Sequence, residues 1–190
     1  YTINAQQVFG GHGYIEEWGM SQYARDCRIA MIYEGTNGIQ ALDLVGRKLA
    51  MDGGKHMREY LNLIQSFMNE EHSDDFKNDF IIPLKKSIEH LQSALMFFME
   101  NGLKNPLSAV SGATDFLHLV GLVSLGFIWA KKAQSARDQL KNSPSNKHFL
   151  EAKILTGSYF MSRQLPETKL RLDKILTGEK QVMSLAANQF

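Results

Sequence analysis

Residues 105–140 read NPLSAVSGATDFLHLVGLVSLGFIWAKKAQSARDQL. Asn105 followed by Pro106 is a helix start. The asparagine offers a capping side chain, and proline at the first helical position gives up an N–H that has no intrahelical partner anyway. The spacing predicts a helix from there to about Leu140. Its middle is apolar on all sides, with Phe116, Leu119, Val123 and Phe127 interleaved with Leu117, Leu122, Leu125 and Ile128. A helix that is apolar all round is one contacted by several neighbours, and Gly112, Gly121 and Gly126 are placed to let those neighbours pack close. The apolar run 116–130 is shorter than a membrane span, holds His118, and has no basic leader or small-residue cleavage site beside it. It reads as a buried helix, and no integral membrane segment is expected.

Outward from this helix, residues 55–190 keep the three- and four-residue apolar spacing of packed helices. Met57, Tyr60, Leu61, Ile64, Phe67 and Met68 make one stripe. Glu70-Glu71-His72 reads as a solvated acidic turn, and Ser73 as the N-cap of the next helix. There Phe76, Phe80, Leu84, Ile88, Leu91 and Leu95 face inward as far as Gly102, with Pro83 predicting a kink or a split helix. Pro144 ends the central run. A following helix is expected to turn Phe149, Leu150, Ile154, Leu155, Tyr159 and Phe160 inward. Pro166 opens a shorter helix closed near Gly178, and residues 181–187 add a final turn or two. No run alternates as a strand does. The predicted fold is all-α and bundle-like.

Composition narrows the function. Of 190 residues 44% are hydrophobic and 22% charged, the profile of a globular chain rather than a disordered one. Lys+Arg 21 against Asp+Glu 20 leaves a net charge of +1, without the basic excess that nucleic acid requires. The single cysteine, Cys27, excludes an internal disulfide and fits a reducing, cytoplasmic setting. The six histidines show no HExxH or ExxH spacing, and the acidic turn at residues 70–75 lacks the ligand spacing of a calcium loop, so no metal is expected.

Glycine is concentrated in residues 10–54, where backbone must approach something closely or turn sharply. Two stretches stand out. In Gln7-Val-Phe-Gly10-Gly11-His-Gly13-Tyr14 the glycines expose N–H groups to a phosphate or sugar, or simply make a tight turn between helices. In Ile32-Tyr33-Glu34-Gly35-Thr36-Asn37 a carboxylate precedes a flexible residue and an N-cap, Thr36 or Asn37. It stands there as a catalytic acid or as a favourable charge beside a helix dipole.

Together with Arg25-Asp26 between them, these stretches resemble in order and spacing the C-terminal signature of the acyl-CoA dehydrogenase family. The resemblance covers about residues 1–49. It implies that Glu34 is the general base that removes the α-proton of a bound acyl-CoA while the β-hydride passes to FAD, giving a trans-2-enoyl-CoA. It implies further that Gly35 contacts substrate and Tyr33 lines the acyl pocket. Gln7, Gly10 and Gly11 would reach the adenosine-diphosphate end of FAD in a neighbouring subunit, and Thr36 with Asn37 the flavin of their own. Gly38 departs from the family pattern, where Gln or Glu is common, so a side-chain contact is lost there. Arg25-Asp26 is expected to serve as a structural ion pair.

Residues 55–190 resemble the additional C-terminal helical domain of a longer bacterial branch of that family, by length, helical content and the run 38–49. The expected division is therefore 1–54, the end of the catalytic bundle, and 55–190, an extra helical domain. The implied partners are an acyl-CoA, an electron-transferring flavoprotein and copies of the same chain in a homodimer or homotetramer. Because the chain opens without methionine and its first motif begins at Gln7, a fragment that is inactive alone is expected. The competing readings are a flavin acyl-CoA oxidase on the same fold and a helical assembly module with a vestigial site.

Overall fold

The computed structural model describes residues 2–33, 35–102, 104–142, 145–182 and 184–189. Among these residues there is no strand, and the chain divides into two compact units, Tyr1–Gln40 and Ala41–Phe190. The all-α expectation holds. In chain order the helices are α1 (Thr2–Val8), α2 (Gly11–Tyr14), α3 (Met20–Tyr33), α4 (Asn37–Asp43), α5 (Lys55–Met68), α6 (Asp74–Phe76), α7 (Ile82–Asn101), α8 (Pro106–Leu140), α9 (Lys147–Arg163) and α10 (Glu167–Thr177). Asp52, Gly53 and Gly54 all have positive φ, so the chain reverses sharply just before α5.

In the second unit α8 is the centre, packed against α7, α9, α10 and the π-helical turn Leu44–Lys48. Phe116, Leu119, Val123, Phe127 and Ala130 of α8 are buried, among them Phe116 at 0% exposure with its ring edge-on to Phe98 at 5.0 Å. Taken over its whole length, α8 is long and apolar enough to cross a membrane, which the reading of the shorter run did not anticipate. Its buried apolar face is accounted for by the helices around it, while Leu107, Val110, Leu125 and Ile128 remain exposed.

The stripe of α5 is observed, with Ile64, Phe67 and Met68 buried and Met57, Tyr60 and Leu61 packed against the core. Just before Pro83, where a kink or a split helix is predicted, the structure has a π turn. Having no N–H, and with a ring that would strike the carbonyl four residues back, the proline falls in the first turn of α7, and the preceding Lys77–Ile81 form that π turn. The helix is not split, since the backbone stays right-handed helical through Ile81 and Ile82, and the π turn leaves Phe76 and Phe80 buried and stacked at 4.8 Å.

Several expectations need correction. Ser73 does stand at an N-cap, but its side chain caps nothing and instead accepts from Arg137 at 3.0 Å. His72 is buried rather than solvated: Nε2 lies 2.9 Å from the Phe67 carbonyl, Nδ1 3.3 Å from Gln134, and the ring stacks on Phe76. Of the six residues expected to turn inward on α9, Leu150, Ile154 and Phe160 do, whereas Phe149, Leu155 and Tyr159 are exposed. Residues 181–186 form no helix among those described, and the last turn is Ala187–Gln189. Pro144 lies outside the described residues.

The glycines separate by what surrounds them. A Cβ on Gly112 would meet Ile175 and Phe98 at 3.4 Å, and one on Gly126 would meet Leu165 at 3.0 Å, as close packing requires. Gly121, expected to do the same, has nothing within 4 Å. Gly157, which the reading passed over, lies where a Cβ would stand 3.0 Å from Phe80 and 3.5 Å from Trp129. Gly121→Ala is therefore expected to stabilise the chain by about 1 kcal/mol through helix propensity. Gly157→Ala is expected to cost about 1–3 kcal/mol by overpacking. Urea denaturation of the two variants side by side checks both signs.

Asn105 stands at the N-cap of α8 as expected, yet its side chain is not the cap. It donates from Nδ2 to Glu179 at 2.6 Å, and the Ser108 hydroxyl donates to the other oxygen of the same carboxylate. These hydrogen bonds, Ser108 first and Asn105 second, hold the Glu179 carboxyl below the usual carboxylate range. A depressed folded value means that the contribution is present above the ordinary carboxylate value and is lost as pH falls through the lower one. Glu179→Gln should flatten that part of the acid limb of stability, measured as denaturation midpoints against pH.

Candidate functional site

In the first unit α1 packs against α3, with α2 against both. Gly10 joins α1 to α2 with φ +59° and ψ −142°, a backbone that L side chains rarely adopt. Gly13 is fixed by contact instead: a Cβ there would stand 2.2 Å from the Gln6 carbonyl, and Gln6 Nε2 donates to the Gly13 oxygen at 3.2 Å. That pairing was legible only as a motif glycine; Gln6 carried no signal. Around Gly10 and Gly11 the space where a Cβ would stand is open, and Gln7 is exposed. Arg25 donates to Glu16 at 2.9 Å, with both side chains largely in water, a pair worth at most about 1 kcal/mol.

The second stretch closes α3 at Tyr33, whose side chain is exposed. Glu34 lies outside the described residues. Gly35 follows with φ +95° and Thr36 with φ +66°, and α4 starts at Asn37, which is half-buried. Thr36 rather than Asn37 therefore occupies the capping position. Its carbonyl accepts from Gln40 N at 3.1 Å, and its hydroxyl stands a long 3.5 Å from Ile39 N. A β-branched residue with positive φ is strained by about 1–3 kcal/mol, and such strain gathers at functional turns. Asparagine tolerates this conformation and caps at least as well. Thr36→Asn is accordingly expected to raise stability by about 1 kcal/mol, read as a shift of the urea midpoint at unchanged slope.

Tyr33, Gly35, Thr36 and Asn37 thus belong to one turn, and Gln7, Gly10 and Gly11 to the joint between α1 and α2. Both expose glycine backbone to solvent, at Gly10 and Gly11 in one and at Gly35 in the other, which leaves room for close approach by a ligand. Among the described residues of this unit only Gly13, Ser21 and Ala24 are buried, and Val8, Tyr14, Trp18 and Tyr33 stand in solvent. A depression of about 440 Å³ beside Phe67, Gln134 and Asp138 belongs to the second unit and includes none of these motif residues. Volume alone is not the guide to the site here.

Two protein families match the chain. The one described as "Acyl-CoA dehydrogenase, C-terminal domain" covers residues 2–50, and the one described as "Acetyl-CoA dehydrogenase C-terminal like" covers residues 60–186. A 3-methylmercaptopropionyl-CoA dehydrogenase of Ruegeria pomeroyi is 33% identical over 91% of this chain and 30% of its own length. A butyryl-CoA dehydrogenase of Syntrophomonas wolfei is 28% identical over 87% of this chain and 27% of its own. A broad-specificity linear acyl-CoA dehydrogenase of Mycobacterium tuberculosis is 27% identical over 94% of this chain and 31% of its own. The chain spans under a third of the length of these relatives.

Proposed function

Because the chain belongs to the acyl-CoA dehydrogenase family, we propose that it supplies the C-terminal part of an enzyme that oxidises an acyl-CoA to a trans-2-enoyl-CoA. The observation that carries this reading is the match of residues 2–50 to the family's C-terminal domain, with the strained Gly35–Thr36 turn inside the matched stretch. The fit to FAD rests on the open, exposed backbone at Gly10 and Gly11. Gln7, Gly10 and Gly11 would hold the adenosine-diphosphate end of the cofactor in a neighbouring subunit, and Thr36 and Asn37 the flavin of their own. Bound there, FAD supplies the hydride acceptor.

Glu34 takes the α-proton of the acyl-CoA. An α-C–H beside a thioester is a very weak acid, so the proton leaves only if charge growing on the thioester oxygen meets a fixed donor. The main-chain N–H of Glu34 is that donor. A carboxylate desolvated by the acyl chain is also a stronger base. Gly35 lets the substrate lie against the backbone, and Tyr33 lines the acyl chain. The same reading makes the working form a cytoplasmic homo-oligomer, since one copy reaches the cofactor of the next. It also makes an electron-transferring flavoprotein, rather than oxygen, the electron acceptor.

Anaerobic bleaching of the flavin in the assembled enzyme, with saturated acyl-CoAs of several lengths, tests the reaction. Rapid bleaching with one length class supports it and ranks the substrates. Hydrogen peroxide formed in step with turnover in air would move the assignment to an oxidase.

A further inference from the structure

A groove between α7 and the α9–α10 corner carries a cluster that the motif chemistry does not use. It has a volume of about 170 Å³, the share of about five or six waters, and Lys86, Ser87 and His90 of α7 line it opposite Leu165, Thr168 and Lys169. Thr168 is 1% exposed, and its hydroxyl donates to the Leu165 carbonyl at 2.8 Å. Its oxygen therefore accepts from His90, whose Nδ1 stands 2.9 Å away. That contact places the ring hydrogen on Nδ1 and leaves Nε2 as a lone pair in the neutral ring and a donor in the charged one. The Ser87 hydroxyl is committed to the Leu84 carbonyl at 2.7 Å. The donors left for a guest are the Lys86 ammonium group, the hydrogens of the Lys169 ammonium not engaged by Asp173 and, once protonated, His90 Nε2.

The charges around the ring are Lys86 and Glu89 on α7 and Lys169 and Asp173 on α10, with Lys169 also paired to Asp173; the α9 corner contributes the uncharged Met161, Leu165 and Pro166. Burial first, then Lys86 and Lys169, push the His90 imidazole below its ordinary value, and Glu89 and Asp173 pull the other way without cancelling them. The lysines therefore outweigh the acids at the ring, and a guest anion would offset their repulsion and part of the cost of charging a buried imidazole.

We propose that this groove binds a tetrahedral oxyanion of sulfate or phosphate size between Lys86, Lys169 and His90 Nε2, with His90 drawn toward its protonated form as the ion binds. The site is independent of the acyl-CoA chemistry and stands or falls without it. Its volume takes one such group and no nucleoside body, which would have to lie outside.

The test is NMR of the histidine rings in the full chain, titrated with sodium sulfate against sodium chloride at matched ionic strength, with His90→Gln identifying the signal. Sulfate keeps its charge over the range used, so a pH dependence belongs to the protein. A saturable shift of the His90 signal is expected, with affinity rising about tenfold from about pH 7.5 to about pH 5.5, and sulfate raising the proton affinity of His90 by the same factor. Lys86→Gln with Lys169→Gln, two exposed changes, should abolish the saturable shift. A wild-type signal that follows ionic strength alone, an affinity indifferent to pH, or undiminished binding in the double variant overturns the proposal. Adenosine monophosphate displacing sulfate would identify the phosphate end of a larger ligand as the guest, and failure to displace it would assign the free ion.

Discussion

The Glu34→Gln variant of the assembled enzyme is expected to lose at least about a hundredfold in the rate at which acyl-CoA bleaches the flavin. Glutamine keeps the size and the hydrogen-bonding reach of the side chain but cannot accept the α-proton. The substitution leaves in place the main-chain N–H that we assign to the thioester oxygen. Binding should therefore persist, with KM near the wild-type value and the loss carried by kcat, the pattern of an interaction made in the transition state. Stopped-flow absorbance under anaerobic conditions measures the first quantity, and a displacement titration with a non-oxidisable acyl-CoA the second. An undiminished rate would leave residues 33–37 as inherited scaffold and favour a helical assembly module.

Phe116→Ala carries the largest expected effect on stability. The ring is wholly buried in the first third of α8, where it meets Phe98 edge-on. Truncation removes its transfer free energy and leaves a hole that α7 and α10 cannot fill without moving. The cost is expected at about 3–5 kcal/mol, a large share of the roughly 5–15 kcal/mol that holds a typical domain together. Urea denaturation followed by circular dichroism gives the value. A loss under about 1 kcal/mol would mean that the core is not organised around this helix.

Much of this core was legible because burial on one face of a helix imposes a period, which residues 57–68 and 76–95 carry, while 106–140 stood out by being apolar on all sides. α9 shows where the period is ambiguous. Leu155 and Tyr159 lie on one stripe, Leu150, Ile154 and Phe160 on another, with Phe149 at the border between them, and both are apolar. The inward stripe is the one that includes Gly157, set against Phe80 and Trp129, and a missing side chain gives no hydrophobic signal. His72 was misread for a similar reason, since the acids beside it in sequence say nothing of the Phe67 carbonyl and Gln134 that meet its two nitrogens. At the candidate site the motif glycines were visible, but Gln6 against Gly13 and the positive φ of Thr36 are products of tertiary geometry. The His90 groove left no motif at all, because its residues come from helices separated by 78 positions.

The carboxylate that serves the head of α8 has a consequence for the order in which the chain is made. Glu179 meets Asn105 across 74 positions, so a ribosome delivers the start of this helix well before the group that secures it. At about 5–20 residues per second the interval lasts several seconds, far longer than a helix needs to form. Throughout that time the Asn105 and Ser108 side chains at the first turn of α8 lack the carboxylate they meet in the finished fold. Closure comes only after α10 has been released and docked, which makes this contact a late seal on a core that has already assembled.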